Sequence, residues 1–198
     1  MTTPQPTPHH KAQAGWIAMS GSLPRLGGEY PQLAARLLEK MDLAAGVLIV
    51  VPTDADPTAI KRFREDIEAL LGASPAVEIL RQDQPLQLSG VSLLVFAGGD
   101  VETWYSSLGR EPSERRVLEF LDRGGVLLAS DASCAGLGSW RFTPGIPDPV
   151  QGLGWLLGGL MLPGIADPGQ LQSVRHLLSS EEHSYALGLP DGTALAVG

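Results

Sequence analysis

Gly125-Val-Leu-Leu-Ala-Ser-Asp-Ala-Ser-Cys-Ala-Gly-Leu-Gly138 is the segment on which the fold of this chain turns. An apolar run stops abruptly at small residues that surround Ser133 and the chain's one cysteine, Cys134. A strand that breaks into a helix in this way exposes one side chain at the top of a parallel sheet, beside backbone N–H groups that stabilise negative charge. The segment therefore predicts a parallel α/β sheet and a position for a nucleophile.

The pattern repeats on the amino-terminal side. Residues 91–97, Val-Ser-Leu-Leu-Val-Phe-Ala, form a strand-sized apolar run that ends in Gly98-Gly99-Asp100, and residues 112–122 carry Val117, Leu118 and Leu121 at helical spacing before Gly124-Gly125. Residues 46–51 are continuous in Val, Leu and Ile, as a strand buried on both faces requires. Asp56-Pro57 then supplies a cap and a first-turn proline for a helix with Ile60, Phe63 and Ile67 on one face and Gly72 as its stop. A strand at 16–19, a helix at 31–41 and a strand at 77–80 complete the alternation. Strands alternating with helices imply right-handed crossovers and a three-layer αβα sandwich with a mainly parallel central sheet. In such a sheet Thr53, Gly98-Gly99 and the Ser133-Cys134 turn converge at the carboxyl ends of the strands, where ligands bind. Beyond Trp140 the chain turns Gly- and Pro-rich, which favours turns and strands over a long helix, and residues 192–198 read as a last strand.

Bulk composition narrows the function classes. With 198 residues, 43% of them hydrophobic, the chain can bury one substantial core, so residues 15–198 are expected to form a single domain behind a flexible tail at 1–14. The Pro- and Thr-rich tail has no apolar face, and its His9-His10 pair reads as solvated. A net charge of -8 argues against nucleic acid as a partner. The apolar runs are too short for a membrane span, one cysteine cannot form an internal disulfide, and a cytoplasmic location is the default expectation. No Cys/His cluster has metal-ligand spacing and no P-loop is present, so neither a metal nor a cofactor is expected.

The order of motifs resembles the cyanophycinase and peptidase E (aspartyl dipeptidase) family. It runs Ser20-Gly21, Val-Val-Pro-Thr-Asp-Ala, Phe96-Ala-Gly-Gly-Asp100 with Trp104 and Leu108, the Ser/Cys-Ala-Gly turn, Gly152-Leu-Gly, Leu162-Pro-Gly and Gly188-Leu-Pro-Asp-Gly-Thr-Ala-Leu195. The resemblance covers nearly everything after the tail. It implies the class I glutamine amidotransferase-like fold, a serine-type peptidase chemistry on aspartyl peptides or cyanophycin, and a small peptide as the substrate. A homodimer is the other association it leaves open.

The family's nucleophile motif is Gly-Thr-Ser-Ala-Gly-Ala, from which this chain departs. Matching the Ala-Gly pair places Cys134 at the nucleophile, matching serine to serine selects Ser133, and counting without gaps puts Ala132 there. Gly136 permits close helix packing and a thiolate at a helix N-terminus has a lowered pKa, which favours Cys134; a small buried cysteine after a strand is the plain alternative. The resemblance also implies a histidine after Leu-Pro-Gly, but Gly169 stands in its place, while Asp167 and Arg175 keep the register. His176 is then the candidate base, with Asp148 as an acid to orient it, whereas His183 lies in a polar run and reads as solvated. Gly98 and Gly99 are candidates for oxyanion N–H groups, and Asp100 for binding a substrate amine or capping a helix. Asp191 reads as a turn residue where the family has an acidic one. Two functions follow: a hydrolase of aspartyl peptide bonds using Cys134 or Ser133, or a relative with a degenerate triad that binds or regulates.

Overall fold

The structure is a computed structural model that describes residues 15–22, 31–71, 76–143 and 145–198. The expected tail with His9 and His10, and the expected helix stop at Gly72, lie outside these residues.

In chain order the first half runs β1 (Trp16–Ser20), α1 (Pro31–Lys40), β2 (Gly46–Val51), α2 (Pro57–Leu71), β3 (Val77–Arg81), β4 (Val91–Phe96), α3 (Val101–Leu108), α4 (Ser113–Asp122) and β5 (Val126–Ser130). Their continuous Val/Ile/Leu runs are buried because both faces of the sheet are covered. Leu33 and Leu37 of α1, with Phe63 and Ile67 of α2, pack on one face against Ile49, Val95 and Leu128. Trp104 and Leu108 of α3, with Val117 and Phe120 of α4, pack on the other against Leu48, Phe96 and Leu127. Asp56 caps α2 as expected, its Oδ1 accepting the Thr58 N–H at 3.0 Å.

A short α5 (Ala132–Ala135) leads into the glycine-rich third, which forms β6 (Gly138–Arg141), β7 (Val150–Gln151), β8 (Leu156–Pro163), α6 (Gln172–Ser180), β9 (Tyr185–Leu189) and β10 (Ala194–Val197). The central sheet is six-stranded in the order β10-β1-β5-β4-β2-β3, parallel throughout except for β10, which pairs antiparallel to β1. The molecule is thus mixed α/β with a mostly parallel central sheet flanked by helices, as the alternation requires. The second sheet, β7-β6-β8-β9, adds to that plan. Its Leu156 and Met161 join the core beneath α3, and α6 covers its outer face through Val174 and Leu177 on Leu160 and Leu162. Gly138 is required where β6 meets β8, since a Cβ there would lie 2.1 Å from the Gly159 carbonyl oxygen.

Candidate functional site

The parallel register brings three chain segments to one end of the sheet. Ser20 of β1 is level with Ser130 of β5, and Phe96 of β4 with Ala129, so the turns after these strands are neighbours. At the end of β5 the backbone bends through Asp131, with φ 53° and ψ -132°, and enters α5 at once. This conformation costs a non-glycine residue about 1–3 kcal/mol and persists only where its surroundings enforce it. Here the Asp131 N–H donates to the Ser20 carbonyl at 3.0 Å, and the Asp131 carbonyl accepts the Cys134 N–H at 3.0 Å. The Asp131 side chain stands exposed at the tip. Desolvation by its surroundings pushes this carboxyl above its ordinary range and the charge of Asp191 adds to the shift, while the Ala132 N–H opposes them.

The tip therefore belongs to Asp131, and not to Ala132, Ser133 or Cys134, the positions at which motif matching places it. Ser133 is buried one turn further on. Its Oγ accepts the Ser130 N–H at 2.9 Å and lies 2.7 Å from the Ser130 oxygen and 2.9 Å from the Phe96 oxygen, fastening the elbow to β4. Cys134 is fully buried, with Sγ 3.7 Å from the Ser20 oxygen. Burial pushes its thiol up to about 12, helped by the negative charge of Asp131. The lowered thiol pKa expected from a helix N-terminus is thus reversed, because the sulfur points into the core.

Gly98 and Gly99 follow β4 beside this elbow with φ of 70° and 85°. The Gly98 carbonyl accepts the Trp104 indole N–H at 2.6 Å, and both glycines line a small apolar cavity of about 160 Å³ with Ile49, Ala55, Phe63 and Ala97. Asp100 caps α3, as one of its two expected roles: Oδ1 accepts the Thr103 N–H at 2.9 Å and Oδ2 binds the Thr103 hydroxyl. These bonds, the hydroxyl's first, hold its pKa below the ordinary carboxylate value.

His176 is brought elsewhere. It is exposed on α6 and lines a surface hollow with Pro147, Asp148, Leu171, Gln172 and Ser173, none of them an elbow residue. Asp148 thus shares a wall with the histidine, in a hollow that neither Ser133 nor Cys134 lines. Gly169 lies in a 3-10 turn (Pro168–Gln170) capped by Asp167, and its carbonyl accepts from Arg175 at 3.2 Å. The His183 side chain is 89% exposed. Asp191 occupies the turn closed by the Thr193 N–H on the Pro190 oxygen, which the Gly21 N–H ties to the end of β1, close enough for its charge to act on Asp131.

Composition and motif order give no warning of a further polar cluster. Arg141, only 6% exposed, pairs with Glu102 in the first turn of α3 and donates to Thr143 Oγ1 at 2.7 Å and to the Gln151 carbonyl at 3.0 Å. Its guanidinium lies 3.9 Å from the Tyr105 ring centroid. Burial alone would raise the Glu102 pKa, but the Thr143 hydroxyl and Arg141 bring it below the ordinary value. The one sequence signal is an arginine set between Trp140 and Phe142, at the end of β6. Among the described residues, no group of three or more His, Cys, Asp and Glu side chains is placed to hold a metal, and no helix is long and apolar enough to cross a membrane.

No protein-family profile and no curated protein matches the sequence. Solved structures do. A peptidase from an acI-B1 actinobacterium superposes with a TM-score of 0.69 at 18% identity, over 94% of this chain and 84% of its own. A Listeria monocytogenes EGD-e protein provisionally called peptidase E gives 0.63 at 12% identity, over 93% and 94%. The chain has the fold of these peptidases. At such identities the likeness is one of architecture. In this chain the strand-to-helix turn after β5 carries a carboxylate, that of Asp131.

Proposed function

We propose that this chain uses the peptidase fold as a ligand-binding or regulatory protein, with a short peptide as its ligand class, and does not cleave peptides through a serine or cysteine. The observation that carries this reading is Asp131 at the turn's tip. In the register set by that turn, the serine of the motif Gly-Thr-Ser-Ala-Gly-Ala falls on Asp131 and its second glycine on Ser133. A carboxylate is a poor acyl-transfer nucleophile in water. Serine and cysteine nucleophiles need a base within hydrogen-bond reach, and His176 lines a separate hollow.

Two measurements test the reading. A fluorophosphonate is expected to leave Ser133 unmodified in the folded protein, and aspartyl dipeptides are expected to remain intact over long incubation. Turnover that disappears in Ser133→Ala or Cys134→Ala would overturn it.

A further inference from the structure

Strands β2 and β4 lie side by side and parallel, yet the chain leaves them in opposite directions. The turn after β2 leads into α2 on one face of the sheet, and the turn after β4 leads into α3 on the other. Diverging turns of this kind open a crevice outside the carboxyl ends of the two strands, the general place for a ligand in a parallel sheet. The cavity of about 160 Å³ bounded by Ala55 and Asp56 on one side and by Gly98 and Gly99 on the other is that crevice. Exposed Asp56 and Ala59 line it, so it reaches the surface, while Ile49, Val51 and Phe63 form its buried walls. Its rim is held in place. Arg81 donates to the Pro52 carbonyl at 3.0 Å and the Trp104 indole to that of Gly98 at 2.6 Å, and a Cβ on Gly99 would lie 2.6 Å from Pro52 Cγ. A hollow lined by apolar side chains forfeits packing energy, and three of the lining residues, Ala55, Ala59 and Ala97, are alanines that leave it open.

We propose that this crevice holds an apolar side chain of the peptide ligand, of leucine or phenylalanine size, and turns away acidic ones. The inference rests on the reading of the chain as a peptide-binding protein, and it names the residue that the protein selects. Size and lining decide the class. An apolar cavity of about 150 Å³ stays dry and takes a group as large as benzene. Charge decides what is refused. Among the described residues that line the crevice, the charged one is Asp56, whose Oδ1 caps α2 by accepting the Thr58 N–H. Its carboxylate repels an aspartyl side chain and attracts the ammonium group at the amino end of a peptide.

The test titrates the full chain, isotope-labelled at its methyl groups, with the dipeptides Leu-Gly, Asp-Gly and Gly-Gly and, separately, with benzene. Leu-Gly is expected to bind at least about tenfold more tightly than the other two dipeptides, the scale for burying one leucine side chain. Its methyl protons should show nuclear Overhauser contacts with the methyl groups of Ile49, Ile60 and Ala97. Ala59→Phe, a change at an exposed position on the lining, should weaken Leu-Gly and benzene alike while circular dichroism stays unchanged. Contacts to methyl groups elsewhere, Asp-Gly or Gly-Gly bound as tightly as Leu-Gly, or undiminished binding to Ala59→Phe each overturn the proposal and leave the peptide reading standing. Benzene bound in the crevice with no dipeptide bound anywhere overturns the peptide reading, and the proposal with it. Binding of neither benzene nor any dipeptide overturns both.

Discussion

Two aspartates follow two adjacent strands of the same sheet, each directly before a helix, and they are put to opposite uses. After β4, the chain makes two positive-φ glycines first, and Asp100 then sits in extended backbone with φ -117°, where its carboxylate is consumed by the first turn of α3. After β5 there is no glycine, and Asp131 itself takes the positive φ, so its carboxylate projects outward. Hydrogen bonds lower the pKa of the first; desolvation and a like charge raise that of the second. Which residue absorbs the bend decides whether a carboxylate becomes a cap or a displayed charge.

Each turn also has its own fastener, and breaking these gives the largest expected effects. Arg141→Ala strips the α3 turn of its link to the second sheet and leaves Glu102 and Thr143 without their cation. A loss of about 2–3 kcal/mol in a urea titration is expected, the scale for losing charge-assisted hydrogen bonds from a buried guanidinium whose partner Glu102 keeps 38% of its side chain exposed. Ser133→Ala removes the clamp at the β5 turn and leaves the Ser130 N–H without its acceptor, for about 2 kcal/mol by the same measurement. If Ser133→Ala proves neutral, the fastening role assigned to that hydroxyl is wrong.

The aspartates themselves should respond with opposite signs. Asp100→Ala loses a cap and should cost about 1 kcal/mol at neutral pH. Because folding lowers this carboxyl's pKa, its contribution is present above the unfolded value and lost as pH falls through the folded one. The penalty therefore shrinks in acid. Asp131→Asn should instead raise Tm by about 2 °C, a small gain because the side chain is exposed and screened. Its folded pKa is raised, so the cost of the charge is complete above the folded value and gone below the unfolded one. The advantage of asparagine should fade over that interval, and thermal scans from neutral to acidic pH follow both trends.

Much of the scaffold is legible before any coordinates. The 46–51 run becomes β2 to the residue, and the segment after 130 does bend beside the glycine pair that follows Phe96, because buried parallel strands advertise themselves as unbroken apolar runs. The tip is not legible. Ser130, Asp131, Ala132 and Ser133 are all small enough for a sharp turn, and only the hydrogen bonds to β1 and β4 choose among them. The second sheet is half-legible: its glycines exclude a long helix there but do not give pairing partners. Helix α6 is missed because only Val174 and Leu177 of its nine residues are buried, too narrow a stripe to read from spacing. The approach of Asp191 to Asp131 depends on β10 pairing antiparallel with β1, a contact no local pattern encodes.

With its lone thiol walled in under the end of β1 and held protonated, the native molecule offers nothing for air or peroxide to oxidise at Cys134, nor any handle for crosslinking two copies through that residue. Reductant in the buffer should make no difference to the folded state. Colour from a thiol-titrating dye would then come only from opened chains, which turns this buried atom into a direct gauge of how often the β5 turn comes apart.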